Sequence, residues 1–240
     1  MDWFTIVLEA VEIKEINKED KRKIRELARC YIEIWRDEPW NEDRKCPTCD
    51  EGKNNFGRNF RNTFCPVDGT RLVPYWTIRR VLKDLSKELN KKDATCLIAE
   101  TTGKRIYRYF DNRALCTKKS GIKKVDKDTI IGFTWGYGID KEEIFRLTKS
   151  VELLDLLENE RVAYIDEIGV LNDFRALGIG EELCNSLIWK FNKKRYNSIL
   201  TRTNPRAEAA ISLFKKLGFK DTSIKDPVYN ERIYLLKRLE

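Results

Sequence analysis

The sequence predicts a mixed α/β fold in a single domain, a central sheet flanked by helices, and three observations carry that prediction. Residues 161–171 read as a strand and run into a glycine turn, Arg175-Ala176-Leu177-Gly178-Ile179-Gly180. Beyond it Ile179, Leu183, Leu187 and Phe191 recur at four-residue steps, the mark of a helix with one buried face. Residues 198–203 begin a second strand–helix pair, whose helix sets Ala207, Ala210, Ile211, Phe214 and Leu217 on one face. A third pair opens the chain: residues 3–13, then Ile24, Leu27, Tyr31 and Ile34. At 240 residues the chain is long enough for one sizeable domain with a small insert.

Taken from the N-terminus, the first helix opens at Asn17 or at Lys18, Glu19 and Asp20. It ends near Pro39, because the residue before a proline disfavours helical backbone. Over residues 75–89, Ile78, Val81, Leu82, Leu85 and Leu89 fall at helical spacing, with Arg79, Arg80, Lys83 and Lys87 largely off that stripe. Residues 94–100 and 129–138 read as strands, 105–111 as an extra one, 118–127 as a polar loop and 141–160 as helical. In the last helix Asn204 is the expected N-cap, Pro205 the first helical residue and Gly218 the stop. Residues 226–235 make the final strand.

A strand, a glycine turn and a helix present free backbone N–H groups to a phosphate. The first turn of a helix has unpaired donors and a partial positive charge, which stabilise an anion. Gly178 and Gly180 have no Cβ, so a diphosphate can approach the main chain closely. The Arg-x-x-Gly-x-Gly turn and the strand before it resemble the acetyl-CoA segment of the GNAT superfamily of N-acetyltransferases. Residues 130–137 resemble that superfamily's central strand, and Asn204 to Phe219 its second cofactor motif. The resemblance covers residues 1–40 and about 75–240, so that 1–240 is a GNAT-like acetyltransferase domain. It implies a mixed, mostly antiparallel sheet splayed at the acetyl-CoA strand.

The segment 42–74 departs from that pattern. Cys46-Pro47-Thr48-Cys49 is followed by Cys65-Pro66-Val67-Asp68, a second turn of the same kind with Asp68 where a fourth cysteine would stand. Three thiolates and one carboxylate are a chemically reasonable tetrahedral site for structural Zn2+. The segment resembles a zinc ribbon inserted in the acceptor-side loop. Cys30, Cys96 and Cys116 are alternative fourth ligands.

The seven cysteines are odd in number and no histidine is present, which points to reduced thiols and metal ligation in a cytoplasmic protein and excludes histidine-based triads. No apolar run approaches membrane-spanning length, and the N-terminus lacks the basic start of a signal peptide. A net charge of +8 suits an anionic ligand. Nucleic acid is a candidate, but the three phosphates of coenzyme A are the simpler explanation.

The resemblance implies a role for each motif residue. Main-chain groups of Arg175, Ala176, Leu177, Gly178, Ile179 and Gly180 would take the pyrophosphate, and the backbone of Ile168, Gly169 and Val170 the pantetheine, one of its amides polarising the acetyl oxygen. Asn204 and Phe214 belong to the cofactor wall. Asp166 and Glu167 are adjacent and point to opposite faces unless a bulge intervenes. Glu167 matches the acidic position beside the cofactor strand and is the favoured base. Phe214 stands where many relatives have a proton-donating tyrosine, which leaves Tyr229, Tyr234, Tyr164 or water to protonate the thiolate. The activity implied is acetyl transfer to a primary amine by direct attack. The rival is a catalytically weak scaffold that binds coenzyme A and uses its ribbon on nucleic acid or a protein partner.

Overall fold

Twelve strands and six α-helices are laid out in the computed structural model, which describes residues 10–37, 39–49, 55–103, 106–109, 119–123, 126–229 and 231–239. Strand β1 is Val11–Glu15 and helix α1 Lys21–Trp35, capped by the Asp20 carboxylate on the N–H groups of Arg22 and Lys23. Residues 3–9 of the expected first strand lie outside the described residues. The insert holds three short strands, β2 (Arg44–Lys45), β3 (Asn55–Phe56) and β4 (Val73–Pro74), paired in the order β3-β2-β4. Then come α2 (Ile78–Glu88), β5 (Thr95–Thr101), β6 (Ile106–Tyr109), β7 (Lys119–Lys123), β8 (Ile130–Ile139), α3 (Lys141–Thr148), α4 (Val151–Leu156) and β9 (Val162–Val170). A short 3-10 turn, Asn172–Phe174, precedes α5 (Ile179–Lys193). The chain closes with β10 (Ser198–Thr203), α6 (Glu208–Lys216), β11 (Lys220–Lys225) and β12 (Ile233–Arg238).

The main sheet has the order β1-β5-β8-β9-β10-β12-β11, and β9–β10 is its one parallel pair among the described residues. One face is covered by α5 and α6, whose Leu183, Leu187, Phe191 and Phe214 pack on Ala163, Ile165 and Ile199. The other is covered by α1 and α2 over Phe133 and Trp135, and by α3 and α4 over Tyr164 and Tyr234. Alternation along β9 produces both cores: Ala163 and Ile165 face α5, while Val162 and Tyr164 face α4.

Two irregularities in β9 open the sheet and re-aim its side chains. Its pairing with β10 stops at Ile165↔Thr201, so the two strands splay apart beyond that point. Its register with β8 slips between Trp135↔Glu167 and Gly136↔Ile165, leaving Asp166 as the extra residue of a β-bulge. Gly136 is opposite because a Cβ there would stand 2.3 Å from the Tyr164 carbonyl oxygen.

Several expectations are corrected. The segment 118–127 is no plain loop, since β7 pairs antiparallel with β6 through backbone bonds. The helical stretch 141–160 is two helices. The chain turns left-handed at Lys149 (φ 51°), and Ser150 recaps it by accepting from the Leu153 N–H at 3.1 Å. Helix α6 starts at Glu208, because Asn204 Oδ1 accepts from the Arg206 N–H at 2.9 Å and holds a turn that delays the helix. Residues 226–229 are a loop, not strand, with Asp226 Oδ1 accepting from the Val228 and Tyr229 N–H groups, both at 2.8 Å. The final strand starts at Ile233, and β11 beside it was not anticipated.

Candidate active site

A single cleft of about 790 Å3 passes through the splay between β9 and β10. One half is bounded by the glycine turn and α6, the other by α1, Trp40 to Glu42, Tyr75, Trp76 and Tyr229. In the first half the chain is left-handed at Ala176 (φ 60°) and Gly178 (φ 81°). The Arg175 N–H is taken by the Asn172 carbonyl at 3.3 Å, and helical bonding resumes only with Glu182 N–H on Gly178 O at 3.0 Å, which leaves the N–H groups between them free for an anion. Arg175 turns back, its Nε donating to the Val170 carbonyl at 3.0 Å, and Asn172 donates to Asp37 at 3.0 Å. Together they fasten the turn to the end of β9 and to the segment after α1.

Arg175, Ala176, Gly178, Ile179, Gly180, Ile168, Gly169, Val170 and Phe214 all line the cleft. Leu177 does not; it packs on the main core. Asn204 does not either, its carboxamide being engaged with Arg206. A Cβ on Gly169 would lie 3.0 Å from Ile34 and 3.2 Å from Phe133, so glycine is needed where α1 crosses the strand. The bulge sits three residues earlier.

That bulge is the exception the alternation rule allows for, and it brings both acids to one side of the sheet. Asp166 Oδ2 accepts from Trp135 Nε1 at 3.2 Å, and Glu167 Oε1 from the Tyr31 hydroxyl at 3.4 Å, so both lie on the α1 side. Burial, then the neighbouring charges of Asp166 and Glu42, push the Glu167 carboxyl well above the usual carboxylate range. Burial raises Asp166 too, against the pull of the Trp135 hydrogen bond. Of the three tyrosines expected as acids only Tyr229 lines the cleft. Tyr164 is buried under α4, and the Tyr234 hydroxyl donates to the Leu147 carbonyl at 2.8 Å. Tyr31, Glu42, Trp76, Arg80 and Arg232 also line the cleft and were missed. Apart from Trp76 and Arg80, four residues apart at the start of α2, they come from separate segments and share no spacing that would group them, although Tyr31 was legible as part of a buried helix face.

In the insert, donor atoms of Cys46, Cys49, Cys65 and Asp68 all lie within 4.8 Å of one another. The Cys49 and Cys65 sulfurs are 3.8 Å apart, and Asp68 Oδ2 is 3.5 Å from the sulfurs of Cys46 and Cys49. A tetrahedral ion with metal–sulfur bonds of about 2.3 Å needs sulfurs about 3.8 Å apart, so the donor set fits zinc. Thr48 and the Thr70 N–H (2.9 Å) bind the Asp68 carboxylate and hold it below the usual range, ready to ligate. Cys30 and Cys96 are not alternatives, being buried between α1 and the sheet; Cys116 lies outside the described residues. The insert is tied to α1 and the segment after it by Arg58 on Glu33 (2.6 Å) and Arg36 on Asp43 (2.5 Å).

Residues 84–219, more than half of the chain, match the acetyltransferase (GNAT) family. No curated protein matches the chain. Among solved structures, Ard1 from Thermoplasma volcanium is 14% identical with a TM-score of 0.50, over 96% of this chain and 99% of that one. A GCN5-related N-acetyltransferase from Kribbella flavida is 12% identical with a TM-score of 0.50, over 96% and 99%. The yncA protein of Salmonella typhimurium, with its cofactor acetyl-CoA, is 13% identical with a TM-score of 0.52, over 96% and 95%. At such identities the likeness is one of fold, and the mixed, mostly antiparallel sheet flanked by helices is the one the resemblance implies. With the family match extending from α2 to the end of α6, the chain belongs to the GNAT acetyltransferase family.

Proposed function

We propose that the protein is an acetyl-CoA-dependent N-acetyltransferase that acts on a primary amine by direct attack in a ternary complex. The observation that carries the reading is the shared cleft: the turn of free N–H groups and the carboxylates of Asp166 and Glu167 open onto one cavity. The diphosphate lies on residues 175–180. Pantetheine lies along the edge of β9 that β10 abandons, bonded to the backbone of Ile168, Gly169 and Val170, an amide of which polarises the acetyl oxygen. An alkyl ammonium has a pKa near 10.4, so its proton must leave before attack. Glu167 takes it, Asp166 tuning the pair. The amine nitrogen then bonds to the thioester carbon and the C–S bond breaks, Tyr229 giving its proton to the departing thiolate and regaining the second proton that the nitrogen sheds as the amide forms.

Incubation with acetyl-CoA and a panel of amines, followed by free thiol, tests the reading. Amine-dependent thiol release is expected, and its absence across the panel overturns it. The rival, an idle scaffold used for binding, has Phe214 in its favour. Tyr229 on the same cleft removes that advantage.

We further propose that Cys46, Cys49, Cys65 and Asp68 hold a structural zinc ion in the module 42–74, in a cytoplasmic protein whose thiolates stay reduced. Purified protein should carry one zinc per chain by elemental analysis and lose it in Cys65→Ser. Metal-free protein, or unchanged content in the variant, would count against the site.

A further inference from the structure

The acceptor half of the cleft holds two guanidinium groups that the proposed reaction does not use. Arg232 lies with its Cζ 4.3 Å from the ring centre of Tyr229 and 5.5 Å from that of Trp40. Its Nε is buried and has no hydrogen-bond partner. Arg80 stacks 4.6 Å from Trp76 and 5.8 Å from Tyr75, with one long side-chain hydrogen bond, 3.5 Å to the Tyr75 carbonyl. Among the described residues neither is in an ion pair, whereas Arg202, which also lines the cleft, is paired with the buried Asp226.

A buried donor without an acceptor costs roughly 1–3 kcal/mol, more when charged, so the fold gains when a ligand supplies one. Stacking on aromatic rings pre-orders a guanidinium and leaves the edges of its fork open to acceptors in its own plane. The charge balance selects the acceptor. Glu42 accepts from Trp76 Nε1 at 2.7 Å, and although burial raises its carboxyl, the charges of Arg232 and Arg80 both reach it and oppose that rise. With Glu42, and Glu167 beyond it, already within reach of Arg232, the two guanidiniums suit a singly charged planar anion better than a doubly charged one. A planar monoanion satisfies that balance, and a phosphate dianion exceeds it and meets Glu42 as well. The surrounding Trp35, Trp40 and Trp76 offer apolar surface to the rest of the molecule.

We propose that Arg80 and Arg232 clamp a carboxylate of the acceptor, so that the substrate is amino-acid-like: an amine for the acetyl group, a carboxylate for the clamp and an apolar body over the tryptophans. The amine end rests on the transferase reading; the clamp does not. The same tryptophans make binding visible without turnover. Tryptophan fluorescence should change saturably on titration with at least one of the common amino acids and far less with its carboxamide. Arg232→Gln should raise the Kd of that acid by about 10-fold or more, and Arg80→Gln should do so independently. Arg232→Lys should restore little, for lack of the fork. In turnover the same substitutions should raise the acceptor KM and leave the acetyl-CoA KM unchanged. Carboxamides or inorganic phosphate binding as well as every acid would overturn the clamp. Thiol release without acid-over-amide preference defeats the clamp and leaves the transferase standing. Acid binding without thiol release does the reverse.

Discussion

Gly178→Val is expected to abolish acetyl-CoA binding while leaving the domain folded. Gly178 sits at φ 81°, ψ −8°, immediately before the first residue of α5, where a β-branched side chain is strained by about 1–3 kcal/mol. The rest of α5 is held by Leu183, Leu187 and Phe191, all 0% exposed, so the strain is relieved where the chain can move, in the turn itself. Moving the turn disperses the N–H groups that converge on the diphosphate, and the valine side chain fills part of their concavity. Calorimetric titration should show affinity down by about 100-fold or more, since charge-assisted hydrogen bonds contribute about 1.5–3 kcal/mol each. Gly180→Ala is the control for fold. An added Cβ there makes ordinary contacts, 3.6 Å to Leu213 and 3.8 Å to Val170, so its melting curve should match the parent's. Undiminished acetyl-CoA binding in Gly178→Val would remove the turn from the cofactor site.

Glu167→Gln should lower kcat by roughly 10²-fold or more, the ordinary contribution of a positioned base. It should also remove the rising limb of the pH–rate profile. Burial, with Asp166 and Glu42 nearby, raises the Glu167 carboxyl well above its ordinary range, so the limb lies above that range, and its midpoint belongs to the Asp166–Glu167 pair. The same shift has a stability consequence of fixed sign. The folded state holds the proton more tightly than the unfolded one, so the contribution is fully present below the unfolded pKa of about 4.3. It is lost as pH rises through the folded value. Glutamine avoids that loss. Glu167→Gln should therefore melt higher than the parent at mildly alkaline pH and alike in acid. A variant that keeps full turnover and the parent's pH profile would exclude Glu167 as the base.

Much of the cofactor half was legible because local periodicity wrote it. Residues 198–203 were expected as a strand and are one, and Gly218 ends its helix at φ 83° as the stop residue must. The spacing of Cys46, Cys49, Cys65 and Asp68 likewise brought four donors together, since two tight turns on paired strands need little help from the rest of the chain. What escaped depended on distant partners. The bulge at Asp166 exists because Gly136, on another strand, leaves room for the Tyr164 carbonyl. Asn204 had an acceptor's chemistry for either a helix or a turn, and the Arg206 N–H took it. Glu42, Arg80 and Arg232 meet only after α1, the insert and the last loop have been assembled, and no pattern along the chain joins them.

The extra residue in β9 has a consequence for how this site can change over generations. Beyond Asp166 every residue looks the opposite way from what counting along the strand from Ile165 would give, with Ile168 and Val170 toward α5 and Gly169 toward α1. Substitutions between Asp166 and Val170 alter one side chain at a time. Losing or gaining a single codon there would exchange inside for outside, pressing a bulky residue against Ile34 and turning an acid into the main core. The acceptor chemistry is thus free to drift by replacement, while the length of this stretch is locked.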